Sequence, residues 1–367
     1  MAARTRYCKS PTLFAVMASP LEKLAYETAQ AARVGWFFGQ KLLLARLSRP
    51  VPRPPHLQNR KWPGRQRLVA DLWGLIERDW QNIAAGIYAV PEDWRGSPAE
   101  ALHRAADFFA DFPASEKRRH GDAADALLPE ADPERYPEYY RRKFHFQTDG
   151  YLSQASAERY DYQVEVLFGG AAAPMRRQAL VPLREALREQ PSGPGAARLL
   201  DVACGTGAFL REIKLNYPRL SVTGLDLSAP YLSVAERQLR EWSRVSLVEG
   251  AAEAMPLGDA AFDVVTCIYL FHELPPRARA AVAKEIARVL RPGGTLILVD
   301  SLQIGDEPDY DATLEYFPVA THEPYYAGYL RADLDALFAP ELAPLNSRLA
   351  YFSKIKSYRR GARGGAN

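Results

Sequence analysis

Residues 197–357 read as a doubly wound α/β domain on a parallel sheet, with a helical N-terminal extension ahead of it. Three observations carry that reading. Short runs rich in Val, Ile and Leu recur after residue 197 without polar alternation, as strands buried on both faces do. Segments of helical periodicity separate them, which is the rhythm of strand–helix–strand units with parallel pairing. The stretch "PSGPGA", residues 191–196, is a proline- and glycine-rich break that sets this region off from the chain before it.

Taken in order, "LEKLAYETAQAARVGWFFGQKLLLARL" over 21–47 is a helix, stopped by the prolines of "SRPVPRPP". A second helix runs through "QRLVADLWGLIERDWQNIAAGIY", where Leu68, Leu72, Leu75, Ile76 and Ile83 fall near helical spacing. A third, "PAEALHRAADFFADF", has Ser97 as its N-cap before Pro98. Residues 113–150 are polar and turn-rich, and helix returns in "SQASAERYDYQVEVLF" and "AAPMRRQALVPLREALREQ". The chain therefore divides into a helical extension and lid (1–150), helices leading into the core (151–196), the sheet domain (197–357) and a flexible tail (358–367). Within the sheet domain the strands are "RLLDVA", "SVTGLDL", "RVSLVEG", "FDVVTCIYL" and "GTLILVD". The intervening "PPRARAAVAKEIARVL" puts Val282, Ile286, Val289 and Leu290 on one helical face, and "RPGG" over 291–294 turns the chain into the fifth strand.

Composition narrows the class. Of 367 residues, 47% are hydrophobic and 25% charged, which excludes global disorder. A net charge of +3, with arginines interleaved among acids, gives no reason to expect a nucleic acid partner. The three cysteines form no C-x-x-C pair, so neither a metal nor a disulfide framework is expected, and a reducing, cytoplasmic location fits. No apolar run is long enough to span a bilayer.

The chemistry centres on "DVACGTGAF", the first strand-to-helix turn. In such sheets ligands sit beyond the carboxyl ends of the strands where strand order reverses. Gly205 and Gly207, with Ala203 before them, let the backbone turn sharply and approach a ligand. Asp226, closing the second strand, can accept hydrogen bonds from both hydroxyls of a ribose, which indicates an adenosine-containing cofactor. The third glycine of a dinucleotide fingerprint is absent, since Leu210 occupies that position. Asp201 adds a carboxylate where a pyrophosphate would be repelled and a cation welcomed. An ammonium-bearing sulfonium, S-adenosyl-L-methionine, meets those requirements. Cys204 is a small turn filler.

"LLDVACGTGAFL", "VTGLDLS", "EGAAEAMPLGDAAFDVVTC" and "RVLRPGGTLILVD" together resemble the successive motifs of class I S-adenosylmethionine-dependent methyltransferases, over about residues 197–300. The likeness is nearest to the branch containing the ubiquinone/menaquinone C-methyltransferases. It implies a Rossmann-like sheet in which Asp201, Ala203, Gly205 and Gly207 line the methionine part and Asp226 binds the ribose. It also implies that Leu227 packs on the adenine, with Ala252 and Glu253 at the adenine edge. Ala251 departs from the family's usual Asp or Asn, leaving adenine recognition to the Ala252 backbone or Glu253. Family members also place a Tyr-Asp pair upstream, closing over the cofactor. Tyr160 and Asp161 look like that pair, with 146–151, Tyr151 included, as a water-excluding lid.

In-line methyl transfer needs a positioned acceptor and, for some acceptors, a base. "IYLFHELPP" follows the fourth strand, where acceptor-facing groups emerge. His272 is the candidate base and Tyr269 a pocket-shaping neighbour. "ATHEPYYAGYL" gathers His322, Glu323, Tyr325 and Tyr326 in a loop suited to a flat or amphipathic acceptor. The expected function is methyl transfer to a small-molecule or lipid-like acceptor. Two alternatives stay open: a non-catalytic partner-binding protein that keeps the cofactor fold, and a Rossmann enzyme using another adenosine cofactor. "VGWFFGQKLLLARLSRP" has the composition of an interfacial membrane anchor, and more often that of helices that pack on the core or join a homodimer.

Overall fold

The structure is a computed structural model. It describes residues 19–361 except 94–96, 121–127, 129–131, 133, 143, 144, 146–148, 191, 192 and 340. Phe146, Gln147 and Thr148 of the expected lid lie outside the described residues.

Helix α1 (Pro20–Leu47) begins with a capping box in which Ser19 and Glu22 satisfy each other's backbone donors. Helix α2 (Arg65–Ala84) follows, and then α3 (Pro98–Arg119), opened by a second capping box, Ser97 with Glu100. α3 runs straight through Pro113, where the sequence pattern ended it. The ring removes one ladder donor, but Lys117, Arg118 and Arg119 in the last turn suit the negative end of the helix dipole. Helices α4 (Gln154–Leu167), α5 (Ala172–Arg177) and α6 (Leu180–Arg188) lead into the sheet.

Strands β1 (Arg198–Val202), β2 (Ser221–Asp226), β3 (Val245–Glu249), β4 (Phe262–Ile268) and β5 (Leu290–Ser301) alternate with helices α7 (Ala208–Asn216), α8 (Ala229–Leu239) and α9 (Pro276–Val289). The strand order is β3-β2-β1-β4-β5, all parallel, and the order reverses between β1 and β4. "RPGG" lies inside β5, whose pairing with β4 carries a register shift where Gly293 adopts a φ of 77°. After α10 (Asp311–Thr321), α11 (Tyr326–Tyr329) and α12 (Leu334–Phe338), strands β6 (Leu342–Ala350) and β7 (Ser353–Arg360) complete the sheet. β7 inserts antiparallel between β5 and β6, so the sheet is mixed at one edge. β7 also claims the first three residues of the expected tail, and Tyr358 is fully buried against α12.

One apolar cluster joins Tyr26, Leu72, Ile76 and Trp80 of the N-terminal helices to Leu199, Phe209, Val264 and Ile297 of the sheet domain. Burying each such side chain contributes about 1.5–3 kcal/mol. A polar knot lies within the same layer. The Arg177 guanidinium, 0% exposed, donates to Asp79 at 2.6 Å and to Asp93 at 2.5 Å, while Tyr26 and Tyr88 donate their hydroxyls to Asp79. These contacts fix α5 between α1, α2 and the sheet. Leu21, Leu24, Leu42, Leu43 and Leu47 remain exposed on α1. Among the described residues, no helix is long and apolar enough to cross a membrane.

Candidate functional site

A cleft opens over the β1/β4 switch point, between the loops that follow β1, β2 and β4, with α4 and α5 as its roof. It encloses about 1040 Å³ of atom-free space, open solvent at the mouth included.

The turn after β1 is built from three left-handed residues, Ala203 (φ 56°), Gly205 (φ 53°) and Gly207 (φ 78°). Ala203 and Gly205 line the cleft. A Cβ at Gly205 would meet nothing nearer than Tyr231 at 3.9 Å, so its backbone faces open space. Gly207 serves a different end from the one expected. It does not line the cleft, and a Cβ there would come within 3.0 Å of the Ala235 Cβ, so its glycine is needed to pack α7 against α8. Between them, the Thr206 hydroxyl donates to Asp161 at 2.7 Å, tying the Tyr-Asp helix α4 to the turn.

Asp201 and Asp226 face this one cleft. Asp201, next to last in β1, accepts the Thr266 hydroxyl at 2.6 Å and is 2% exposed; burial pushes its carboxyl up to about 7. Asp226 accepts backbone N–H donors from Gly205 and Ser228, each at 2.8 Å, and burial raises it to about 6. Opposite the acids stands Arg176 of α5, whose Nε is buried without a hydrogen-bond partner. Leu227 and Ala252 line the far end. Glu253 does not. Its Oε1 accepts the Tyr139 hydroxyl at 2.5 Å, and its Oε2 is buried and unpartnered. Tyr151 and Tyr160 both line the roof, their rings 6.0 Å apart and edge-on.

The acceptor-side expectations fare unevenly. Tyr269 lines the cleft in a left-handed conformation (φ 58°), its hydroxyl 2.6 Å from Ser353 Oγ. His272 lies behind the wall, with Nδ1 at 2.6 Å from Asp300 and Nε2 at 3.6 Å from Glu323. Burial works against its charge, but Asp300, Glu323 and Glu273 outweigh burial and lift its pKa to about 10. An imidazole already protonated near neutral pH has no site for another proton, so His272 is not placed as a base. His322 caps α10 with φ 56°, and Tyr326 is buried with its hydroxyl on Ser301; neither lines the cleft.

The side chain that does reach the cleft is Glu273, beside His272 in "FHELPP". Its Oε1 accepts the Tyr151 hydroxyl at 2.6 Å and lies 3.9 Å from Nε2 of both His145 and His272. Glu323, 2% exposed, completes the cluster, 3.5 Å from His145 Nδ1 with both carboxylate oxygens outside hydrogen-bond range. Arg176, Glu273 and His145 were missed in the sequence because no spacing rule marks a side chain brought in by tertiary packing. Only the adjacency of Glu273 to His272 could have flagged it.

An orphaned guanidinium nitrogen, two buried carboxyls and an open glycine turn fit a zwitterionic nucleoside with a positive centre. The comparisons agree. Residues 199–294 match the family described as a methyltransferase domain. The demethylmenaquinone methyltransferase of Thermotoga maritima is 29% identical over 180 residues, 49% of this chain and 72% of that protein. That of Deinococcus radiodurans is 35% identical over 145 residues (39% and 56%). The ubiquinone/menaquinone biosynthesis C-methyltransferase of Methylobacterium nodulans is 35% identical over 158 residues (42% and 59%). The matched segment thus spans under two thirds of the latter two relatives. With the glycine turn, the two facing acids and the β1/β4 cleft already in place, the sheet half of this chain matches a methyltransferase domain and is similar to the ubiquinone/menaquinone C-methyltransferases.

Proposed function

We propose that the whole protein transfers a methyl group from S-adenosylmethionine to a small or lipid-like acceptor, of the quinone kind that its relatives' names indicate. One observation carries this reading: Asp201 and Asp226 share a cleft with a left-handed glycine turn at the switch point of the sheet.

When bound, the cofactor supplies an activated methyl on a sulfonium. The protein's part is to hold and orient. Asp201 pairs with the ammonium, and the Arg176 guanidinium takes the carboxylate that its unpartnered Nε awaits. Asp226 turns toward the ribose hydroxyls while keeping the Gly205 N–H. Leu227 and Ala252 flank the adenine. Tyr151, Tyr160 and the Thr206–Asp161 bond close the roof and exclude water.

The test is transfer of labelled methyl into a small-molecule and lipid extract, with products identified by mass spectrometry. A labelled aromatic or prenylated product that vanishes with Asp226→Ala is expected. Absence of any labelled product at saturating cofactor would defeat the reading.

A further inference from the structure

Glu273 stands where the cofactor cleft meets a buried cluster of titratable groups. One face of its carboxylate lines the cleft. The other is gripped by the Tyr151 hydroxyl at 2.6 Å and by His145 and His272, each with Nε2 at 3.9 Å. Behind the imidazoles stand two more acids. Asp300 accepts from His272 Nδ1 at 2.6 Å, and Glu323 sits 3.5 Å from His145 and 3.6 Å from His272. Two imidazoles stand among three acids, and these neighbours raise the pKa of each despite burial. A hydrogen-bond chain also links Glu273 to the cofactor end: Tyr151 donates to Glu273, Ser228 donates to the Tyr151 carbonyl, and the Ser228 N–H donates to Asp226.

We propose that Glu273 is the acceptor-facing general base of this cleft, oriented by Tyr151 and flanked by the imidazoles of His145 and His272. The proposal rests on the methyl-transfer reading above and narrows its substrate class. The acceptor's reacting atom carries a removable proton, as a hydroquinone hydroxyl or the ring carbon beside it does and a thioether or tertiary amine does not. The acceptor's electron pair forms the new bond to the methyl carbon, the C–S pair stays with sulfur as a neutral thioether, and the acceptor's proton goes to a Glu273 carboxylate oxygen.

Calorimetric titration of the full chain with S-adenosylmethionine and, separately, S-adenosylhomocysteine reads the placement without any acceptor. The two differ by the methyl and its positive charge. The wild-type protein should prefer the charged ligand, and E273Q should lose roughly fivefold or more of that preference while binding S-adenosylhomocysteine within about twofold of wild type. In the labelled-extract assay at saturating cofactor, E273Q should lose roughly a hundredfold in rate. An unchanged preference, or an undiminished rate, overturns the proposal. Should E273Q fail to fold, E273D retracts the charge by one methylene and should lower the same preference by about twofold; no change there overturns it equally. If the wild-type protein binds neither ligand, the cofactor reading itself fails and takes this proposal with it.

Discussion

Asp226 holds the glycine turn in place: its Oδ2 accepts the Gly205 N–H at 2.8 Å while its Oδ1 accepts that of Ser228. The acid that ends β2 therefore shapes the loop after β1 as well as facing the ligand. Asp226→Ala should weaken S-adenosylhomocysteine binding by about 1–3 kcal/mol, the range for losing charge-assisted hydrogen bonds. Asp226→Asn keeps an acceptor for Gly205 and should lose less. Equal affinities for wild type and both variants would remove Asp226 from the site.

Binding should also depend on pH in a stated direction. In the folded protein burial raises Asp201 to about 7 and Asp226 to about 6, and both must be ionised to meet an ammonium and ribose hydroxyls. Affinity should be full above about pH 7.5 and fall below it, by up to about tenfold per pH unit for each carboxyl that must lose its proton. Asp201→Asn should weaken binding at pH 8 and flatten the fall between pH 8 and 6.5. A wild-type affinity constant from pH 8 to 5.5 contradicts the assignment.

The His272–Asp300 pair makes a prediction about stability instead. Its folded pKa of about 10 lies above the unfolded value of 6.5. The stabilisation is complete below about pH 6.5 and disappears as pH rises through about 10. Urea unfolding should show wild type losing stability over that interval relative to His272→Gln. Parallel curves would mean that His272 is neutral in the fold.

Arg177 anchors the N-terminal helices through side chains almost wholly removed from solvent. Asp79→Ala leaves a buried guanidinium with one carboxylate fewer and unpairs the Tyr26 and Tyr88 hydroxyls, and should cost about 3–5 kcal/mol in denaturant unfolding. A cost under about 1 kcal/mol would show that α2 can leave the sheet without loss.

The parallel core was legible because strands such as "RLLDV" and "FDVVTCI" are buried along nearly their whole length, which leaves short stretches dominated by apolar residues. β6 was not, since "LAPLNSRLA" is an edge strand whose second to sixth residues are exposed. Asp201 and Asp226 could be read from their places at strand ends. Gly207 was found for the wrong reason, because a glycine that admits a neighbouring helix and one that admits a ligand look alike in sequence. His272 drew notice as a residue type suited to proton transfer, yet three acids from distant segments set its charge. Glu273 acquires meaning only when residues 145, 272 and 323 meet it, and Arg176 only when α5 reaches the cleft.

The most direct measurement of the central claim is an isothermal titration of the full chain with S-adenosylhomocysteine, paired with the Asp201→Ala and Asp226→Ala variants. One site per chain, with affinity lost in each variant while the folded state persists, is the predicted result. No binding by the folded wild-type protein, or equal binding by all three, would contradict it.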